Sequence, residues 1–179
     1  MEVLKKVLTD AYVLKPNVYY DERGFFYESF NKKIFQKITG HDVNFVQDNK
    51  SRSSKGILRG FHYQNEPFSQ NKLVNVVKGR AYDVAVDMRP LSKTYKNFFG
   101  IELTEENHLQ FFIPKGFAHA FLALEDNTIL EYKVDNQYSK EHEYGFFWND
   151  PELPVNWPLK EIFLSEKDKM LPPLNKLII

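Results

Sequence analysis

The stretch AYDVAVDM, residues 81–88, decides the fold class of this chain of 179 residues. Bulky apolar side chains at the even positions alternate with alanine and aspartate at the odd positions. A period of two residues is typical of a β-strand whose two faces have different surroundings. We expect the even face to be buried in a core. The odd face carries Asp83 between small neighbours and is a candidate pocket wall.

Working outward, similar short apolar or alternating runs recur along the chain, at residues 25–30, 44–48, 57–64, 72–77, 98–103, 109–113, 118–124 and 128–134. Turn-forming sequences separate them, at 21–24, 78–79, 114–116 and 125–127. Many short strands at close spacing predict a mainly β protein, an antiparallel sandwich or jelly roll. Asn31 can cap a short helix that buries Ile34, Phe35 and Ile38, and a second helical piece is expected at 165–170.

Composition excludes several classes of function. The 24 Lys and Arg residues balance the 24 Asp and Glu residues, so no overall field draws the chain to nucleic acid or to an anionic membrane. The absence of cysteine excludes disulfides, thiolate catalysis and thiolate metal sites. Residues 1–5 do not open a signal peptide or a membrane span, and a cytoplasmic location is the simplest expectation. With 42% hydrophobic residues, we expect one domain over residues 1–179, in which an N-terminal arm and a C-terminal helical segment pack on a central jelly roll.

The run LRGFHYQ, residues 58–64, followed by Lys72, places three chemically useful side chains on predicted strands. Arg59 suits a phosphate, His62 can move a proton near neutral pH, and Lys72 can stabilise a developing negative charge. Together they predict proton chemistry on a phosphorylated substrate. Inverting a carbon next to a ketone needs a base on one face, an acid on the other and stabilisation of the enolate oxygen.

The spacing of Arg59 and His62 does not fit a regular strand. Residues three apart lie on opposite faces of a strand, yet both side chains are wanted in one site. Either Gly60 marks a bulge, or Arg59 serves the site of a neighbouring subunit.

Eight runs, in this order, resemble the dTDP-4-dehydrorhamnose 3,5-epimerase family: DERG at 21–24, FVQDN at 45–49, RGFH at 59–62, KLV at 72–74, DVAVD at 83–87, IPKGFAH at 113–119, WNDP at 148–151 and SEKD at 165–168. The resemblance implies a cupin-type jelly-roll homodimer in the biosynthesis of carbohydrates such as dTDP-rhamnose and lipopolysaccharide. It also implies epimerisation at C3, C5 or both of a dTDP-linked 4-keto-6-deoxy sugar without NAD, metal or another cofactor.

The resemblance carries over roles to individual residues. His62, which the chemistry already favours as the base, would be paired with Asp168, and Tyr132 would be the general acid. Lys72, with His119 nearby, would stabilise the enolate. The expected substrate contacts are Arg59 and Arg23 on the diphosphate, Gln47 and Asn49 on the nucleotide or sugar, and Glu28, Glu143 and Lys167 elsewhere. From the sequence pattern of hydrophobic and charged residues alone, Tyr132 is predicted to be a core residue beside Leu130 and Val134. The same pattern predicts that Asp168 is part of a solvated turn.

Two positions depart from the family pattern. Asn75 stands where an arginine is expected, and Ala120 replaces a glycine after His119. The first change could alter nucleotide or phosphate contacts, and the second could narrow the space beside His119. An epimerase that acts at C3 alone therefore stays open.

Other classes of protein remain as alternatives. Residues 114–119 look like the second motif of metal-dependent cupins, but Tyr63 and Gln64 stand where that class needs a His-x-His pair. A non-catalytic sugar-binding cupin would need no matched acid and base. A nicotinamide enzyme is disfavoured because no Gly-x-Gly-x-x-Gly follows a strand.

Overall fold

The computed structural model describes residues 1–177 and is a jelly roll of two antiparallel sheets with few helices. Its strands are β1 (Glu2–Val7), β2 (Ala11–Lys15), β3 (Tyr19–Asp21), β4 (Gly24–Phe26), β5 (Gln47–Ser53), β6 (Leu58–Gln64), β7 (Lys72–Lys78), β8 (Arg80–Asp87), β9 (Phe98–Thr104), β10 (Gln110–Ile113), β11 (Phe117–Ala123), β12 (Thr128–Val134) and β13 (Glu143–Gly145). The α-helices are α1 (Lys32–Thr39) and α2 (Glu166–Lys169), and short 3-10 helices span Lys140–His142 and Leu174–Lys176.

The larger sheet has the order β1-β2-β10-β7-β12-β5, and the smaller one β13-β6-β11-β8-β9. Strands β3 and β4 form a separate hairpin. This architecture confirms the predicted fold class. None of the helices described in residues 1–177 is long and apolar enough to cross a membrane.

The main core lies between the inner faces of the two sheets. Val74, Phe111 and Leu130 of the larger sheet belong to the same buried cluster as Ala85 and Phe121 of the smaller sheet. A second cluster covers the outer face of the smaller sheet with the segment that follows β13. A third packs α1 on the outer face of the larger sheet. Aromatic and β-branched side chains fill these layers, as expected for strands that are buried on at least one face.

The stretch at residues 81–88 forms most of β8 and is buried on both faces. Ala81 and Ala85 face the core between the sheets, whereas Val84 and Val86 pack in the outer cluster. Asp83 and Asp87 are fully buried, so neither lies on a solvated face. The odd face therefore looks into the interior of the barrel.

Asp87 belongs to a structural network at one end of the barrel. Its carboxylate accepts hydrogen bonds from the Arg89 guanidinium at 2.8 Å, from Ser92 at 2.5 Å and from Thr94 at 2.7 Å. Burial raises the pKa of Asp87, but these hydrogen bonds outweigh burial and lower the pKa to about 2. Arg89 also binds Asp10 at 3.0 Å. The network ties the β1–β2 turn to the loop after β8.

The predicted helix begins where the sequence places it. The Asn31 side-chain oxygen accepts a hydrogen bond from the backbone N–H of Ile34 at 3.2 Å, and Gly40 ends α1 in the left-handed conformation. Phe35 is fully buried against the larger sheet. The second helical prediction is also confirmed, because α2 lies within 165–170.

Two parts of the strand prediction differ from the structure. Strands β1, β2, β3 and β13 were not predicted. Two predicted runs also have other bounds, because the run at 25–30 is a strand only to Phe26 and β5 spans Gln47–Ser53 rather than ending at Asp48. All seven residues of β5 are polar, so the strand has no hydrophobic pattern. Neighbouring strand β12 provides its pairing through seven consecutive residue pairs.

Gly60 forms a bulge that resolves the spacing of Arg59 and His62. On β11, His119 pairs with His62 and Phe121 pairs with Arg59, so three steps on β6 match two on β11. Gly60 has φ +117°, and a Cβ there would come within 2.5 Å of the His119 carbonyl oxygen. Only glycine fits this close approach. The bulge returns His62 to the face that carries Arg59.

Candidate active site

A cleft of about 550 Å³ opens between the two sheets, near β6 and α2. Both sheets contribute to it, together with β13 and the segment that leads into α2. Eight of the predicted site residues line it, namely Arg59, His62, Lys72, His119, Tyr132, Glu143, Lys167 and Asp168.

His62 and Asp168 form a close pair on one side of the cleft. The Nε2–H of His62 donates to Oδ1 of Asp168 at 2.6 Å. Burial raises the pKa of Asp168, but the hydrogen bond and charge of His62 outweigh burial, and the net shift is downward. An ionised carboxylate can only accept, which leaves Nδ1 of His62 as the nitrogen free to take a proton.

Helix α2 sets the position of Asp168. The Ser165 hydroxyl caps the helix by accepting a hydrogen bond from the backbone N–H of Asp168 at 3.1 Å. The Asp168 side chain is only 4% exposed. Asp168 is therefore the one inward-facing residue of a capped and otherwise exposed run at 165–168, which sequence pattern alone could not distinguish from a wholly solvated turn.

A second pair of a histidine and a carboxylate, His119 and Asp83, lies beside His62 on the neighbouring strands. His119 pairs with His62 in the β6–β11 ladder. Its Nε2 lies 2.9 Å from both carboxylate oxygens of Asp83. His119 lines the cleft, and Asp83 sits behind it on β8.

Lys72 is the buried cation of the cleft, with 9% exposure. Burial lowers the pKa of Lys72 to about 8, although the negative charges of Asp83 and Glu143 partly oppose this shift. Its ammonium lies 6.0 Å from the centroid of the Tyr132 ring. At neutral pH the lysine is still mostly charged, so it can donate to a developing oxyanion.

Tyr132 faces the cleft from β12. Burial raises the pKa of Tyr132, and the positive charge of Arg59 offsets only part of that effect. The phenol is therefore protonated at neutral pH and able to donate. Its ring also packs against the main core, so the core role expected from pattern and the site role expected from resemblance coexist.

Glu143 and Lys167 meet at the mouth of the cleft. Oε2 of Glu143 accepts from the Lys167 ammonium and from the Tyr138 hydroxyl, each at 2.6 Å. Burial raises the pKa of Glu143, but these two donors outweigh burial and lower it overall. Tyr138 was not predicted as a site residue, because one tyrosine among 10 carries no signal in a sequence.

Hydrogen bonds from β5 of the larger sheet hold the Arg59 side chain in place. Its Nε–H donates to the Ser53 hydroxyl at 3.2 Å, and an NH2 hydrogen donates to the Arg52 carbonyl at 3.3 Å. The remaining guanidinium hydrogens are available to a ligand in the cleft.

Four predicted substrate contacts do not line this cleft. Arg23 is exposed on the β3–β4 turn and bonds to Asp21, and Glu28 bonds to Asn31 at 3.3 Å. Gln47 and Asn49 lie along β5 and bond to each other at 2.7 Å. Asn49 is nevertheless the cross-strand partner of Tyr132, so its side chain lies on the same face of the larger sheet as the Tyr132 ring.

The two departures from the family pattern fall outside the cleft. Asn75 lines a separate cavity of about 370 Å³ on the larger sheet. The methyl group of Ala120 lies in the outer core cluster, on the opposite side of β11 from His119, and close to Gly60. Neither side chain narrows the space around His62. Within residues 1–177, no group of three or more His, Asp or Glu side chains is placed to hold a metal ion.

The model of the dTDP-4-dehydrorhamnose 3,5-epimerase family matches residues 5–176. The chain belongs to this family. A dTDP-4-dehydrorhamnose 3,5-epimerase of Shigella flexneri is 48% identical over 168 residues, covering 94% of this chain and 93% of that protein.

Solved epimerase structures share the fold closely. The dTDP-4-dehydrorhamnose 3,5-epimerase of Elizabethkingia anophelis NUHP1 has a TM-score of 0.94 and 45% identity, covering 98% of this chain and 97% of that one. The dTDP-6-deoxy-D-glucose-3,5-epimerase of Legionella pneumophila Philadelphia 1, solved with dTDP-4-keto-L-rhamnose, has a TM-score of 0.94 and 43% identity, covering 98% and 94%. The 3'-monoepimerase ChmJ of Streptomyces bikiniensis, solved with dTDP-quinovose, has a TM-score of 0.90 and 32% identity, covering 98% and 88%. Both double and single epimerases thus share this architecture.

Proposed function

We propose that this chain is an isomerase that epimerises C3 and C5 of a dTDP-linked 4-keto-6-deoxy sugar through an enolate. The observation that carries the proposal is the His62–Asp168 pair in one cleft with Tyr132 and Lys72. Those groups supply the base, the acid and the fixed cation that the reaction needs. Membership of the epimerase family supports the same reaction.

In the proposed mechanism, His62 takes the proton from the carbon next to the ketone through Nδ1. Asp168 holds the ring by Nε2–H and stabilises the imidazolium that forms. Tyr132 delivers a proton to the opposite face of the same carbon. A phenol with a raised pKa is a weak acid, so the delivery depends on close alignment with the enolate carbon.

Stabilisation of the enolate oxygen is assigned to the ammonium group of Lys72. His119 can donate through Nδ1 only when its ring carries both protons, because Nε2 already faces Asp83. The lysine donates without that requirement. His119 and Asp83 then position the ketone side of the sugar and balance the charge of Lys72.

Incubation with dTDP-4-keto-6-deoxyglucose in deuterated water tests the reaction. Deuterium at both C3 and C5 is the expected result. Deuterium at one carbon alone would support a single epimerase, the alternative for which the 3'-monoepimerase fold is a precedent. Deuterium at neither carbon would overturn the proposal for this substrate.

We further propose that the protein acts in the cytoplasm as a homodimer of one epimerase domain per chain. The β3–β4 hairpin exposes Tyr19, Tyr20, Phe25 and Phe26, each more than half accessible, and a cluster of exposed aromatic rings is typical of an interface. The same segment carries Arg23 and Glu28, which lie away from the cleft of their own chain. A partner's hairpin would bring them to a substrate.

Sedimentation equilibrium tests the assembly. The unaltered chain should sediment at twice the single-chain mass of 21.2 kDa. Phe26→Asp should shift the mass toward that of a single chain. Leu91→Asp changes a fully exposed site away from the hairpin and should leave the mass unchanged. A monomeric unaltered chain at micromolar concentration would contradict the dimer.

A further inference from the structure

Strand β5, at the edge of the larger sheet, presents a row of polar side chains to the cleft side. Directly paired residues on neighbouring antiparallel strands share a face. Asn49 pairs with Tyr132 and Ser51 pairs with Leu130, and both of these partners face inward. Ser51 therefore points to the inner face, and it lines the cleft together with Arg59 and Tyr132.

Ser51 differs from its neighbours in this row because its hydroxyl is unsatisfied. In the part of the chain that the structure describes, the buried Oγ of Ser51 has no hydrogen-bond partner. By contrast, Gln47 bonds to Asn49 at 2.7 Å, and Ser53 accepts from Arg59 at 3.2 Å. A buried hydroxyl without a partner destabilises a fold. The hydroxyl of Ser51 thus has no structural bond to make, and rotation about one bond redirects it.

The hydrogen bond between Ser53 and Arg59 holds the Arg59 guanidinium on the side of β5 that carries Ser51. Ser53 is two residues farther along the same face of β5, a distance of about 7 Å along the strand. Ser53 and the Arg52 carbonyl occupy two guanidinium hydrogens of Arg59 from one side. Ser51 and Arg59 line the same cleft, so an anion bound there by the remaining hydrogens has the hydroxyl at position 51 as a further candidate donor.

We propose that Ser51 is a further substrate-binding residue, whose hydroxyl donates a hydrogen bond to the diphosphate that Arg59 holds. This inference rests on the proposed function, since it takes a nucleoside diphosphate sugar as the ligand. Binding supplies the partner that Ser51 lacks in the free protein. The hydroxyl is then kept for the ligand rather than for the fold.

Isothermal titration of Ser51→Ala with dTDP, inorganic pyrophosphate and thymidine tests the proposal. A hydrogen bond to a charged group corresponds to roughly a 10- to 100-fold change in affinity. We expect that loss for dTDP and pyrophosphate and no loss for thymidine. Because no internal bond is removed, the melting temperature should stay equal to that of the unaltered protein or rise. Ser54→Ala removes an exposed hydroxyl from the turn after β5 and serves as the matched control, with no change expected in binding.

Several outcomes would overturn the proposal. They are dTDP affinity of Ser51→Ala within twofold of the unaltered protein, an equal loss for thymidine, a marked drop in melting temperature, or an unaltered protein that binds neither dTDP nor pyrophosphate. If the unaltered protein binds dTDP but incorporates no deuterium into the sugar, the proposed reaction fails while the role of Ser51 is still decided by the affinities.

Discussion

His62 and His119 face the same cleft from paired strands, and each directs Nε2 at a carboxylate, yet their surroundings differ. The side chain of His62 is 27% exposed, whereas that of His119 is 8% exposed. A base has to reach a carbon-bound proton and then exchange it, which favours the more open ring. The more enclosed pair suits fixed positioning of charge.

Replacement of the proposed base should separate chemistry from binding. His62→Asn keeps a side-chain N–H that can donate to Asp168, but it has no nitrogen able to take a proton. We expect solvent exchange at C3 and C5 to fall about 100- to 10,000-fold, with dTDP affinity and the melting temperature nearly unchanged. Mass spectrometry of the product after incubation in deuterated water measures the exchange. Retention of more than a tenth of the normal rate would rule out His62 as the base.

Replacement of the proposed acid should separate exchange from inversion. Tyr132→Phe removes only the hydroxyl and keeps the ring that packs against the core. His62 can still form the enolate, so deuterium should enter the substrate while inverted product nearly disappears. Proton NMR of the sugar distinguishes the two products. Inversion at the normal rate would make Tyr132 a packing or binding residue.

The buried lysine predicts the alkaline side of the pH profile. The pKa of Lys72 is lowered to about 8, so its charge is present below that pH and is lost as the pH rises through it. The value of kcat/KM should therefore fall above about pH 8. Tyr132 cannot cause this limb, since its pKa is raised above 10. Lys72→Arg keeps its charge at high pH, and any residual activity in it should lack this limb; an unchanged limb would assign it to another group.

Among the elements, the bulge in β6 has the most specific requirement. A Cβ at Gly60 would meet the His119 carbonyl oxygen at 2.5 Å and the Ala120 Cα at 2.8 Å. Gly60→Ala should lower the free energy of unfolding by about 3 kcal/mol or more and displace His62. Thermal unfolding and solvent exchange measure the two effects.

Gly24 provides a matched control for this change. Its φ of +122° is close to the +117° of Gly60, but no atom lies within 4 Å of a Cβ built there. Gly24→Ala carries the backbone strain alone, about 1–3 kcal/mol. Equal losses for the two variants would show that contact with β11 does not matter.

The predictability of each element follows from how local its cause is. Helix α1 could be predicted because Asn31, Phe35 and Gly40 act within one short segment. The bulge could be foreseen only as one of two explanations, since the choice depends on the register against β11. Strand β5 extends through polar residues because β12 pairs with it, and nothing in its own sequence reports that partner.

At the scale of the whole molecule, the distinction between local and long-range causes also separates the predicted site residues that line the cleft from those that do not. Residues on β6, β7, β11 and β12 converge because the jelly roll brings those strands to one cleft, and the family pattern was enough to name them. The distance of Arg23 and Glu28 from the cleft could not be read from the sequence, because it depends on how the β3–β4 hairpin leaves the body of the fold.

Metal removal tests the reaction class for the intact protein. The proposed chemistry uses only side chains of the chain itself, so extended dialysis against a strong chelator should leave the rate of epimerisation unchanged. Elemental analysis of the active protein should find well under one transition metal per chain. Restoration of a lost activity by iron, manganese or zinc would favour the metal-dependent cupin reading instead.

The strand order of the larger sheet has a consequence for how the chain is made. β2 lies between β1 and β10, so its inner edge has no partner until residue 113 has left the ribosome. At typical rates of synthesis, the roughly 100 intervening residues take about 5 to 20 s. During that time the first hairpin waits with one edge open, and β5 has a somewhat shorter wait for β12. Folding of this sheet is therefore completed by its later strands, because the early strands depend on partners that are distant in sequence.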